Sequence, residues 1–174
     1  MTRSAILAAA LASTVAFPAW ADDFTLTSPD ISEGQQLSND FVFQGFGCEG
    51  GNVAPTLEWS GAPEGTESFA VTVYDPDAPT GSGWWHWFAF NIPADVISLP
   101  GGGDVSGVQL TNDYGATGFG GACPPPGEVH RYQFTVHALG TMLEIDESVS
   151  NALAGFMVNA NSIASSTITA VYNR

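Results

Sequence analysis

The sequence predicts an all-β domain, a sandwich or a barrel, on three observations. Runs rich in β-branched and aromatic residues recur along the chain, Gly, Pro, Asp and Asn punctuate them, and a single stretch has helical period. No repeat or long polar linker divides the chain, so residues 22–174 read as one domain. The first 21 residues stand apart. Arg3 supplies a positive start, Ala5 to Val15 is apolar except for Ser13 and Thr14, and Ala19-Trp20-Ala21 fits a small-x-small cleavage site. This predicts a signal peptide cleaved after Ala21, and hence a periplasmic or secreted protein. The apolar run falls short of the ~20 residues a membrane span needs, so the cleaved product is not expected to be an integral membrane protein.

The elements follow in order. Phe24 to Thr27 alternates like a strand. Leu57-Glu58-Trp59 is a second candidate, after the turn-rich Gly50-Gly51-Asn52. Phe69 to Tyr74 is nearly continuous apolar and reads as an inner strand, as do Trp84 to Ile92 and Tyr132 to Leu139. Gly101 to Pro126 is rich in Gly, Asp, Asn and Pro, and irregular chain of that length in a compact domain is usually functional or tightly packed. After Leu143 to Ile145, Asp146 or Ser148 would cap a helix. Its residues Val149, Leu153, Phe156 and Met157 form an apolar stripe facing the sheet. Ile168 to Tyr172 closes the chain as a strand.

Charge excludes one class of partner. The whole chain carries 3 Lys and Arg against 18 Asp and Glu, a formal charge of −15. Losing Arg3 with the leader makes it one unit more negative. Such a field repels nucleic acids and anionic lipid surfaces. The scattered acids point to solubility rather than disorder. Two cysteines, Cys48 and Cys123, in an exported chain favour a disulfide.

The chemistry concentrates at strand ends. Asp75-Pro76-Asp77-Ala78-Pro79 follows one apolar run, Trp84-Trp85-His86-Trp87 opens the next, and His130-Arg131-Tyr132 opens a third. Residues two apart on a strand share a face, which puts Asp75 at the end of the Val71 and Val73 row. By the same rule His130 and Tyr132 lie above Phe134 and Val136, and His86 shares a face with Trp84, Phe88 and Phe90. His137 faces away from His130. Asp75, His86, His130 and Tyr132 can therefore meet in one polar cup. Pro76 and Pro79 stiffen the turn that carries Asp77, and Gly120-Gly121 with Pro124-Pro125-Pro126 can form a wall.

These motifs, with Gly121-Ala122-Cys123-Pro124-Pro125, resemble the phosphatidylethanolamine-binding proteins, also called Raf-kinase-inhibitor-like proteins, and most closely their bacterial branch. The resemblance covers roughly Phe24 to Tyr172. It implies a Greek-key antiparallel β-sandwich with a few peripheral helices, one near the C-terminus. It also implies a pocket for phosphate, acetate or a phospho-headgroup, with no cofactor. Matched residue by residue, Asp75 and His86 are pocket residues, Asp77 and Pro79 belong to the turn, His130 and Tyr132 form a second cluster, and Gly121 supplies a backbone donor. A cis bond before Pro79 and inhibition of a kinase or protease are further implications, and the bacterial branch leaves room for a homodimer. Asp75 would accept from an imidazole N–H, so that the anion meets donors rather than a carboxylate. Two other readings use the same residues. Asp75 and Asp77 with His86 could serve a hydrolase, and His86, His130 and Asp75 could hold zinc or copper.

Overall fold

The structure, a computed structural model, describes residues 23–102 and 105–174. The expected leader over 1–21 lies outside them. A five-stranded antiparallel sheet forms the centre. Its strands are β5 (Ser68–Asp75), β6 (Trp84–Pro93), β8 (Val108–Gln109), β9 (Val129–Leu139) and β10 (Ser162–Asn173), in the order β10-β9-β5-β6-β8. A three-stranded sheet, β1 (Thr25–Thr27), β4 (Leu57–Ser60) and β7 (Ser98–Leu99), runs in the order β1-β4-β7. A short hairpin joins β2 (Gln44–Gly45) to β3 (Cys48–Glu49). The mainly β, antiparallel expectation holds, and the strand order is compatible with a Greek key.

The main core lies between the two larger sheets. Leu26, Leu57, Trp59 and Leu99 from the small sheet pack with Phe69, Val71, Val73, Phe134, Val136 and Ile168 from the large one. Each such side chain, once buried, stabilises the fold by about 1.5–3 kcal/mol. Val71 sits opposite Val136, and β5 is buried along nearly its whole length, as a continuous apolar run requires. On the outer face a smaller core of Ala70, Phe88, Phe90, Leu110 and Leu139 lies under α1 (Asn151–Asn161).

Three local expectations are corrected. Ser150, not Asp146 or Ser148, caps α1, its hydroxyl accepting from the Leu153 N–H at 3.2 Å. Asp146 instead accepts from the Ser148 N–H and hydroxyl. The helix also faces the sheet in a different phase. Ala154 and Val158 are buried, whereas Leu153 and Phe156 are exposed. Trp85 and Phe88 already occupy that sheet face, so the helix turns its small residues, Ala154 and Gly155, towards it. Lastly, β10 begins at Ser162, six residues before the expected start, and pairs with β9 throughout apart from one irregularity near its start. Its Ser and Thr residues hid it from hydrophobic periodicity. They suit an edge strand, and Thr167 bonds Thr135 across the ladder at 2.8 Å.

A bulge then decides where His86 points. Val73 pairs with Trp87 but Tyr74 pairs with Trp85, so one step on β5 spans two on β6 and His86 is left over. Simple alternation puts His86 with Phe88 and Phe90. Instead those two phenylalanines pack under α1, while Trp87 and Ala89 enter the main core. His86 meets Tyr132 edge-on, with ring centroids 5.1 Å apart. Trp84 and His86 do share a side, as expected, since both line the same hollow.

Candidate functional site

Pairing between β5 and β9 ends with Tyr74 opposite Gln133. Beyond that point a hollow of about 230 Å³ opens at the strand ends. Asp75, the last residue of β5, His86 near the start of β6 and His130 near the start of β9 all line it. Ala78, Pro79 and Thr80 come from the β5–β6 turn, Trp84 from β6, and Phe46 from the β2–β3 hairpin. Tyr114, Cys123 and Pro125 come from the long segment between β8 and β9. Most of the lining is apolar and aromatic, with the titratable groups at its floor.

Asp75 organises that floor. It is buried, and its Oδ1 accepts from the backbone N–H of Asp77 at 2.8 Å and of Ala78 at 3.1 Å. Its Oδ2 accepts from His130 Nδ1 at 2.7 Å. This is the expected carboxylate–imidazole bond. The other ring nitrogen of His130 donates to Glu128 Oε2 at 2.9 Å. Two carboxylates, one on each nitrogen, require both nitrogens to carry protons. Burial alone would lower the His130 pKa, but the hydrogen bonds to Glu128 and Asp75 outweigh it and the net shift is upward. The two carboxylates thus favour the imidazolium form of His130.

His86 behaves in the opposite way. It is fully enclosed, and burial lowers its pKa against the raising influence of the Gly120 carbonyl and Asp75. Nδ1 lies 2.7 Å from that carbonyl, which can only accept, so Nδ1 carries the proton of a neutral ring. Tyr132 lies against His86 but is not among the residues lining the hollow; its buried hydroxyl faces the Cys123 backbone without a well-formed hydrogen bond. Burial pushes its pKa up, so it remains a phenol. The Trp84 indole N–H is likewise buried and unpartnered.

The remaining expected residues are placed differently. Asp77 does not line the hollow. It grips Arg131 instead, Nε donating to Oδ2 at 2.9 Å and the terminal amine to Oδ1 at 2.7 Å. Hydrogen bonding to Arg131 lowers the Asp77 pKa to about 2. The Gly121 N–H donates to Asn52 Oδ1 at 2.8 Å and is not offered to the hollow. Glycine is needed there for a different reason, because a Cβ would fall within 2.6 Å of the backbone of Phe41 to Phe43. The described residues contain no cis peptide, so the bond before Pro79 is trans. His137 faces the outer side, as expected, and burial lowers its pKa to about 4.

Sequence reasoning missed Tyr114, Phe46 and Glu128. Glu128 was accessible to it, since it stands two residues before His130 and so shares its face. Tyr114 and Phe46 sit in turns, where no periodicity marks them. Tyr114 is placed by Asn112, whose Oδ1 accepts from the Tyr114 and Ala116 N–H groups, and it stacks on Phe43 at 3.8 Å. Cys48 and Cys123 form a disulfide across a separation of 75 residues, which ties the β2–β3 hairpin to the hollow's wall. Among the described residues no group of three His, Cys, Asp or Glu is placed to hold a metal ion. Nor is any helix among them long and apolar enough to cross a membrane.

Comparison with known proteins gives concordant matches. The family model described as "Phosphatidylethanolamine-binding protein" matches residues 27–173. YbcL of Escherichia coli (strain K12) is 56% identical over 168 residues, covering 91% of this chain and 92% of its own. YbhB of the same organism is 51% identical over 156 residues, covering 85% and 99%. The crystal structure of E. coli YbcL, described as a new member of the mammalian PEBP family, superposes with a TM-score of 0.84 at 57% identity, covering 87% of this chain and 99% of that one. A homologue from Chlamydia trachomatis, CT736, gives 0.78 at 28% identity, covering 88% and 99%.

Proposed function

The chain belongs to the phosphatidylethanolamine-binding protein family, and from that membership we propose that it is an exported, non-enzymatic binding protein whose hollow holds a small anion or the phospho-group of a larger ligand. The meeting of Asp75, His86 and His130 at the floor of one hollow carries this reading. His130 brings a positive charge. The Trp84 indole N–H is a buried donor without an acceptor on a residue that lines the hollow, and an orphan donor there favours a ligand rich in acceptor oxygens. The N-terminal pattern of the sequence supports export to the periplasm or beyond. Inhibition of a kinase or protease is an extension by family analogy.

A hydrolytic role fits less well. Both Asp75 oxygens are engaged, and Asp77 is committed to Arg131. No hydroxyl or thiol among the described residues is hydrogen-bonded to His86 or His130, so neither imidazole activates a nucleophile.

The reading makes a prediction about pH. The His130 pKa is raised and the His86 pKa is lowered. As pH falls from 8, protonation of His130 is completed first, and the His86 ring gains its proton only below its ordinary value near 6.5. Each proton favours an anion. Calorimetry with inorganic phosphate, and with acetate to remove the ligand's own titration, is expected to give affinities roughly tenfold higher at pH 5 than at pH 8. Tighter acetate binding at pH 8 would refute the proposal.

A further inference from the structure

The two carboxylates on His130 are not equivalent. The Asp75 side chain is 4% exposed and holds two backbone N–H groups besides the imidazole. It is fixed. The Glu128 side chain is 51% exposed, and among the described residues its carboxylate has no hydrogen-bond partner other than His130 Nε2. The imidazole itself is 3% exposed and lines the hollow; with Asp75 on Nδ1, Nε2 is its one exchangeable N–H, and Glu128, which is not among the lining residues, holds it.

We infer that Glu128 is an internal stand-in for the ligand, its carboxylate occupying the His130 Nε2–H until an anion displaces it. The inference rests on the anion reading of the hollow and specifies how that hollow selects. A carboxylate on an imidazolium N–H makes the same charge-assisted bond that a phosphate oxygen would make. An incoming anion must therefore exchange with Glu128 rather than fill an open position. Exchange is feasible because the Glu128 carboxylate can swing into water, whereas Asp75 cannot. Selectivity follows. A simple carboxylate makes the same bond, with the same charge, as the carboxylate it replaces and so gains nothing by the exchange. A phospho-group presents several oxygens, which can take the Nε2–H together with the unpartnered Trp84 N–H. Glu128 thus biases the site towards phospho-groups and against simple carboxylates. It also satisfies the His130 Nε2–H when no ligand is present, and a buried donor without a partner would be costly.

Two variants test this at pH 5.5, with Asp75 still holding the ring in its charged form. Glu128→Ala opens Nε2, and Glu128→Gln removes the charge but keeps the shape. Calorimetry is expected to show acetate binding about tenfold tighter to Glu128→Ala than to the native protein, with a smaller gain for phosphate and an intermediate effect of Glu128→Gln. In parallel, NMR titration of the His130 ring without ligand is expected to show a lower pKa in both variants. Unchanged or weaker acetate binding, with the His130 titration shifted, overturns the stand-in role but leaves the anion pocket intact. An unshifted His130 titration overturns it by removing the contact itself. If neither acetate nor phosphate binds any of the three proteins, the anion reading falls and takes this inference with it.

Discussion

Replacing Asp75 with alanine is expected to destabilise the protein by about 3–5 kcal/mol, the range for removing one partner of a buried ion pair. The carboxylate is buried and accepts three hydrogen bonds, two from the turn backbone and one from His130. Its loss leaves the Asp77 and Ala78 N–H groups without an acceptor. It also leaves the imidazolium with only the exposed Glu128 for compensation. The backbone around Pro76 to Pro79 should loosen and the hollow lose its floor, so anion binding is expected to disappear as well. Urea denaturation reads the stability change as a lower midpoint with little change in slope. Asp75→Asn supplies a graded control, because its amide oxygen can still staple the turn while the charge is gone. A loss below about 1 kcal/mol for Asp75→Ala would mean that the site is not organised around this carboxylate.

Removing the disulfide is the second large effect. Cys48 and Cys123 close a loop with a separation of 75 residues, and a crosslink of that span restricts the unfolded chain by roughly 4 kcal/mol in the chain-entropy model. The Cys48→Ser, Cys123→Ser double variant is expected to show a loss of this order in equilibrium denaturation. The loss should also reach the site, because Cys48 carries the hairpin whose tip, Phe46, forms one wall of the hollow and Cys123 forms another. Anion affinity should therefore fall in the double variant even under conditions where it is fully folded. Native-like stability after quantitative reduction would show that the bridge does not constrain the unfolded ensemble.

Much of this architecture is legible in the sequence, and the reasons for the exceptions are physical. The face carrying His130, Tyr132, Phe134 and Val136 follows from strict alternation, because β9 pairs regularly with both of its neighbours. Asp75 at the end of a buried row follows in the same way. His86 is different. Its approach to the other two residues depends on a bulge in β6, and a bulge is an extra residue that no local composition marks. Hydrophobic periodicity gives a different helix phase because Leu153 and Phe156 are more apolar than Ala154. The sheet beneath is already filled by Trp85 and Phe88 and accepts only small residues. Asp77 and Gly121 were drawn towards the hollow by motif, but Arg131 and Asn52 claim them, and those partners are 54 and 69 residues away in sequence. Long-range pairing of this kind is decided by topology and cannot be read from spacing.

The scarcity of basic residues has a practical consequence. Between positions 4 and 173 the only Lys or Arg is Arg131. It lies in β9, hydrogen-bonded through its own N–H and its guanidinium to Asp77 and paired across the ladder with Val171. A protease that cuts after basic residues thus has a single internal bond to attack, near the start of β9 and paired there with β10. That bond becomes available when this end of β9 leaves β10 and Asp77, so the rate of trypsin nicking is a built-in clock for the opening of the sheet at the site, needing neither a label nor a dye.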